Sequence, residues 1–173
     1  MLQVCSLRMF SQNWTKISNR VAACQKQILQ TQDNSTNEIF KYFIKKYNEV
    51  RRESHIFEQL NIQKSDTVYI LERTDQVSLS LLSTIWTQSN MFSYSSSYID
   101  YGKYNVELVK ERYFSKKMLS LAFQWNIEEI RKEEKINQLL PFEMIYLTRI
   151  IINGKKSKID CIMFNDFWNL NHD

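Results

Sequence analysis

Glycine and proline are nearly missing from this chain: its 173 residues hold Gly102, Gly154 and Pro141 and no others of either type. Phosphate cradles need the close backbone approach that only glycine allows, so GxGxxG and Walker loops are excluded. Histidine is as scarce, with His55 and His172 alone. No HExxH, no GxSxG and no Cys/His cluster with metal spacing occurs, so no catalytic, cofactor or metal residue is assigned. The three cysteines, Cys5, Cys24 and Cys161, are odd in number and form no CxxC. That usage speaks for a reducing compartment and against a disulfide framework or a zinc site. The apolar runs at 77–86 and 142–152 are too short to span a membrane, and Ser, Thr or Arg149 interrupts them.

Carboxylates are missing from the N-terminal stretch, where the first acidic residue is Asp33. Leu7, Phe10, Trp14, Ile17, Val21, Cys24 and Ile28 recur three and four residues apart, which on a helix makes one narrow apolar seam. Arg8, Lys16, Arg20, Lys26 and a set of amides fill the other face. A basic, acid-free amphipathic helix has two physical readings: a mitochondrial targeting helix, or a docking helix for a partner groove. Arg8-Met9-Phe10-Ser11 resembles the arginine-led context in which mitochondrial presequences are cut. The seam runs past that point without a change of phase, as a retained structural helix would.

What is present fits a folded protein: 43% apolar and 13% aromatic residues. The net charge of +4 permits a polyanionic partner without demanding one. The abundance of Ile, Asn, Lys, Tyr and Phe also follows from an AT-rich coding bias, so the lysine count alone carries no function.

The first helix is expected over 7–30, ending in the polar cluster Gln32-Asp33-Asn34-Ser35. Ser35 and Glu38 have capping-box spacing for a second helix. Its apolar face is Ile39, Phe40, Phe43, Ile44, Tyr47, Val50 and Phe57, with Lys45, Lys46, Arg51, Arg52 and Glu53 on the wet side. A short polar turn between two helices predicts an antiparallel hairpin. Beyond Asn61 the texture changes. Residues 67–71 are dense in strand formers, Thr74-Asp75-Gln76 reads as a turn, and Val77, Leu79 and Leu81 alternate with serine as a half-buried strand does. A helix through Val77, Leu81 and Ile85 competes with that reading.

Residues 91–104 are rich in Ser and Tyr and predict a strand or a loop packed on the core, with Gly102 in a turn. Residues 106–125 return to helical spacing through Phe114, Met118, Leu121 and Trp125. Asn126 with Glu129 repeats the capping-box spacing and opens a helix through Ile127, Ile130, Ile136 and Leu139, which ends before Pro141. Asn153-Gly154 between two β-rich segments predicts a type I′ hairpin. In that register Ile150 faces Ser157, Thr148 faces Ile159, Tyr146 faces Cys161 and Met144 faces Met163. The competing reading is a helix over 142–152 with Gly154 as its C-cap.

The expected fold is α+β: an N-terminal antiparallel helical hairpin, a small antiparallel sheet with further helices, and a C-terminal β-hairpin at Asn153-Gly154. The alternative is mainly α. Residues 1–32 read as a targeting or docking segment and 33–173 as a single compact domain. The carboxylates Asp66, Glu72, Asp75, Asp160 and Asp166 read as caps and turns, and His55 as a boundary histidine.

With no chemical site, the expected function is that of a non-catalytic accessory subunit in a larger intracellular assembly, a mitochondrial inner-membrane or matrix complex, with the protein on the matrix side. Leu7, Phe10, Trp14, Ile17, Val21 and Ile28 are the candidate contacts to other protein subunits. The second expectation is a nucleic-acid- or ribosome-associated protein. Lys155, Lys156, Lys158, Arg51 and Arg52 are then the candidate contacts to RNA phosphates, or to acidic lipid headgroups.

Overall fold

The structure is a computed structural model, and it describes residues 3–29, 37–60, 62, 66–75, 80–99, 103–109, 114–133 and 144–164. The two long helices are α1 (Gln3–Leu29) and α2 (Asn37–Glu53), followed by the single turn α3 (Ile56–Gln59). Four strands come next: β1 (Thr67–Asp75), β2 (Ser80–Trp86), β3 (Met91–Ile99) and β4 (Lys103–Val109). The helices α4 (Lys116–Phe123) and α5 (Ile127–Arg131) lead to β5 (Ile145–Asn153) and β6 (Lys156–Phe164). The fold is α+β, as expected, and its C-terminal hairpin is present.

All six strands pair antiparallel in the order β4-β3-β2-β1-β5-β6. The first four form a meander, and the chain then returns by way of α4 and α5 to place β5 on the free side of β1. Strand parity separates the two faces. Val68, Ile70, Glu72 and Thr74 of β1 lie on the side of the long helices, and Tyr69 and Leu71 on the other. The first face joins Val21, Leu29, Phe43, Ile44, Tyr47 and Val50 of α1 and α2 in one core. The second packs Leu147, Ile145, Trp86 and Phe164 against Met118, Leu119, Ala122 and Ile130 of α4 and α5. A sheet covered on both faces explains why Val68, Tyr69, Ile70 and Leu71 are all buried in sequence, without alternation.

Several local expectations are corrected. Thr74 and Asp75 are not a turn: β1 runs through both, pairing Thr74 with Leu81 and Asp75 with Ser80. Residues 106–109 are strand, because Val106 and Leu108 pair with Ser96 and Tyr94 of β3. The helix begins only at Lys116, where the Ser115 hydroxyl accepts from the Met118 amide at 3.1 Å. Asn126 does cap the next helix, accepting from the Glu129 amide at 3.3 Å. Between them Trp125 holds the left-handed φ of 56°, with the Trp125 and Asn126 amides bonded back to Ala122 and Leu121. This is the Schellman arrangement that usually employs glycine. Here the indole lies 4.1 Å beneath the Arg149 guanidinium, a contact glycine could not make.

The hairpin turn also differs. Asn153 pairs with Lys156, so the loop residues are Gly154 and Lys155. Only Gly154, at φ 60°, is left-handed, which matches a type II′ turn rather than type I′. The register slides by two: Ile150 faces Ile159, Thr148 faces Cys161 and Tyr146 faces Met163. A slip of two preserves every side chain's face. The expected Ser35 cap, the Val77 and Leu79 alternation, the Gly102 turn, Ile136, Leu139 and Pro141 lie outside the described residues.

Candidate functional site: a buried ion pair behind a surface cleft

Period two places Glu72 on the helix-facing side of β1, two residues beyond Ile70. Its neighbours across the sheet are Ser83 on β2, then Tyr94 on β3, and Tyr146 on β5. Helical spacing on α2 carries Tyr47 and Arg51 down onto the same row, and Gln25 comes from α1. Arg51 donates from Nη1 to Glu72, and both side chains are wholly buried. Gln25 Nε2 donates to the other carboxylate oxygen at 2.8 Å. Arg51 Nε donates to Ser18 Oγ at 3.2 Å, and Ser18 in turn donates to Asn48 at 2.9 Å. These donors satisfy carboxylate oxygens that so apolar a setting would otherwise leave unpaired.

Three fully buried phenols converge on this pair. Burial raises Tyr47, Tyr94 and Tyr146 above the ordinary tyrosine range, and the Glu72 carboxylate raises each further. The Arg51 charge opposes the shift at Tyr47 and Tyr94, as the Ser83 hydroxyl does at Tyr94. Burial and the Glu72 carboxylate thus hold all three phenols in the neutral form. Among the described residues the hydroxyls of Tyr47 and Tyr146 find no hydrogen-bond partner, nor do Gln25 Oε1 and Arg51 Nη2. The cluster locks the helical hairpin to the sheet.

Arg51 was expected on the wet face of α2 as an anion contact, and this is corrected: it is 1% exposed. The adjacent Arg52 is exposed. Arg51 also forms part of the wall of a surface cleft of about 200 Å³ where α1 meets the α2–α3 corner. Trp14, Thr15, Arg52, His55, Phe57 and Glu58 complete that wall. Trp14 and Phe57 stack with ring centres 4.9 Å apart. His55 sits at the corner with φ 49°, and its Nδ1 lies 3.2 Å from the Glu58 carboxylate.

The remaining sequence candidates separate. Trp14, Ile17 and Val21 are buried in the chain's own core, and Ile28 packs against it, so these four are spent internally. Leu7 and Phe10 belong to the earlier part of α1, and their side chains lie outside the described residues. Lys155 and Lys156 are exposed at the hairpin tip, and Lys158 pairs with Asp160 at 3.0 Å. Burial alone would raise the Asp160 carboxyl, but hydrogen bonds from Arg149 and Lys158 outweigh it and hold the group below its ordinary range.

Cys24 of α1 and Cys161 of β6 are joined by a disulfide with Cα atoms 6.1 Å apart, against the expectation from cysteine number. A sequence separation of 137 residues left no spacing rule to pair them. Arg20, one turn earlier on α1, donates to the hydroxyl and the carbonyl of Ser157 at 2.6 and 2.8 Å. Helix and edge strand are thus tied twice. The sequence does carry a signal for the ion pair: Arg51 lies four residues from Tyr47 and seven from Ile44, on the apolar stripe itself.

Among the described residues no group of three metal-capable side chains occurs, and no helix is long and apolar enough to cross a membrane. The class that fold and site define is a three-layer α+β protein with a closed polar centre. No protein-family model, curated protein or solved structure matches the chain.

Proposed function

We propose that this protein is a non-catalytic accessory subunit of a larger intracellular assembly, and that it docks through the first part of α1. The supporting observation is a mismatch of length. α1 has 27 residues and α2 has 17, about 40 Å against about 25 Å of helix. Trp14 already stacks on Phe57 beyond the end of α2, and α1 continues back from there to Gln3. By spacing, Leu7 and Phe10 carry the same seam into that overhang. An apolar seam on a helix that outruns its own partner helix fits a groove on another subunit.

The test is a Leu7→Asp/Phe10→Asp double variant, expressed in the native cell beside the wild type. The wild type co-sediments in a larger complex, while the variant keeps its circular dichroism and sediments alone. A wild type that sediments as a monomer overturns the reading.

A second reading, nucleic-acid binding, is favoured by the exposure of Lys155 and Lys156 at the hairpin tip, beside the Arg20–Ser157 tie. It loses Arg51 to the core. RNA affinity that falls steeply with salt, and weakens in a Lys155→Ala/Lys156→Ala variant, is its signature.

A further inference from the structure

We propose that the β6 edge of the sheet pairs with the β6 edge of a second copy of this chain, antiparallel and centred on Ile159, so that the two sheets continue into one. The argument begins with the backbone groups that β6 leaves over. The Ile152 amide of β5 donates to Asp66 at 2.9 Å, and the Thr74 amide donates to Met144 at 3.3 Å. Each residue of an antiparallel strand turns both backbone groups toward one neighbour, and the side alternates along the chain. Even-numbered residues of β5 therefore bond toward β1 and odd-numbered ones toward β6, where they meet Lys156, Lys158, Asp160, Ile162 and Phe164. Ser157, Ile159 and Cys161 are left with amides and carbonyls turned to the outer edge. Arg20, which reaches the Ser157 carbonyl at 2.8 Å, agrees with that direction. Among the described residues no strand lies on that side of β6. An open row of this kind is a template for another strand.

Exposure and charge select the occupant. Residues 156–162 are exposed or half-buried, whereas Met163 and Phe164 are buried, so Ile159 is the midpoint of the open stretch. A two-fold axis at Ile159 sets Lys158 of each copy opposite Asp160 of the other and opposes no like charges. An axis at Asp160 would set two carboxylates face to face, and one at Lys158 two ammonium groups. In the Ile159 register, Ile159 meets its own copy and Ser157 meets Cys161, all through the unused backbone groups. Lys158 already reaches its own Asp160 at 3.0 Å, with a side chain 71% exposed. The carboxylate has lone pairs for a second lysine, as the Ser157 carbonyl has for an amide beside Arg20. A strand of purely acidic character would match the lysines and repel Asp160. Opposite charges disposed about one residue fit the same sequence reversed. The contact uses β6 alone and does not depend on what docks on α1.

The experiment is analytical ultracentrifugation of the purified full chain, with amide exchange followed at low and high concentration. A dimer forms at about 100 µM, the weak range expected of so narrow a contact. The Ile159 and Cys161 amides gain protection as it forms, while those of Lys158 and Asp160 are protected throughout because β5 holds them. Lys158→Glu sets a glutamate against each Asp160 and weakens the dimer about tenfold. Lys155→Ala, in the turn outside the paired stretch, leaves it unchanged. Ile159→Pro removes an amide that β5 does not use, and it abolishes the dimer while circular dichroism is retained. If the proline variant fails to fold, Lys158→Glu decides. A chain that stays monomeric at that concentration overturns the proposal, whether or not an added acidic peptide binds the edge. So does a dimer whose Ile159 and Cys161 amides exchange freely, or one indifferent to Lys158→Glu.

Discussion

Arg51 and Glu72 meet where the helical hairpin closes on the sheet, and neither side chain has any exposed surface. Removing one partner leaves the other charge in an apolar interior, which is costlier than the pair is worth. Arg51→Met is expected to lose about 3–5 kcal/mol of stability in urea unfolding. The double variant Arg51→Met/Glu72→Leu should recover most of that. A single variant as stable as the wild type would mean the pair is not closed.

The phenols of Tyr47, Tyr94 and Tyr146 give a pH signature. Their ionisation is pushed above the ordinary tyrosine value near 10, first by burial and then by Glu72. The folded chain therefore holds these protons more tightly than the unfolded chain does. Stability should be unaffected by them below pH about 10 and fall as pH rises further toward the folded-state values. In an alkaline titration these three of the nine tyrosines should ionise only as helix content is lost. Nine phenols titrating together in a still-helical protein would contradict the burial.

Reduction of Cys24–Cys161 should cost about 2–4 kcal/mol, because the bridge closes a long loop of the unfolded chain. Non-reducing peptide maps should show the Cys24–Cys161 cross-link in oxidised protein. An unfolding midpoint indifferent to dithiothreitol would count against it.

Gly154 isolates a purely conformational cost. A Cβ built there meets nothing within 4 Å, yet φ is +60°. Gly154→Val should therefore destabilise by about 1–2 kcal/mol through backbone strain alone. Gly154→Asn should cost less, since asparagine tolerates that region. Thermal unfolding of the two variants orders them.

Trp125 shows the opposite balance. It accepts a left-handed backbone and gains the stack under Arg149. Trp125→Gly relieves strain while losing the stack, two terms of about 1 kcal/mol each. Trp125→Leu keeps the strain and loses the stack. It should be the less stable of the two, although it retains more apolar surface.

The elements were legible wherever local chemistry sufficed. Apolar spacing marked α1 and α2, the amide of Asn126 marked its helix start, and β-branched density marked β1. Leu81 and Ile85 suited a helix as well as a strand, and pairing with Ser96 and Phe92 of β3 decided for strand. Residues 106–109 had helical spacing, but β3 offered an unpaired edge whose amides and carbonyls they satisfy. Local preference yields to such pairing because a buried unpaired backbone group costs more than a propensity gains.

By itself the sequence determined which faces are apolar and where the chain turns sharply at Gly154. A period of 3.6 or 2 is written locally, so it survives without knowledge of the partner surface. Only the tertiary structure decided that Trp14, Ile17 and Val21 face inward, that Arg51 finds Glu72, and that Cys24 finds Cys161. Each of those outcomes depends on residues distant in the chain meeting in space, and a charge or thiol has no preferred environment until its partner arrives.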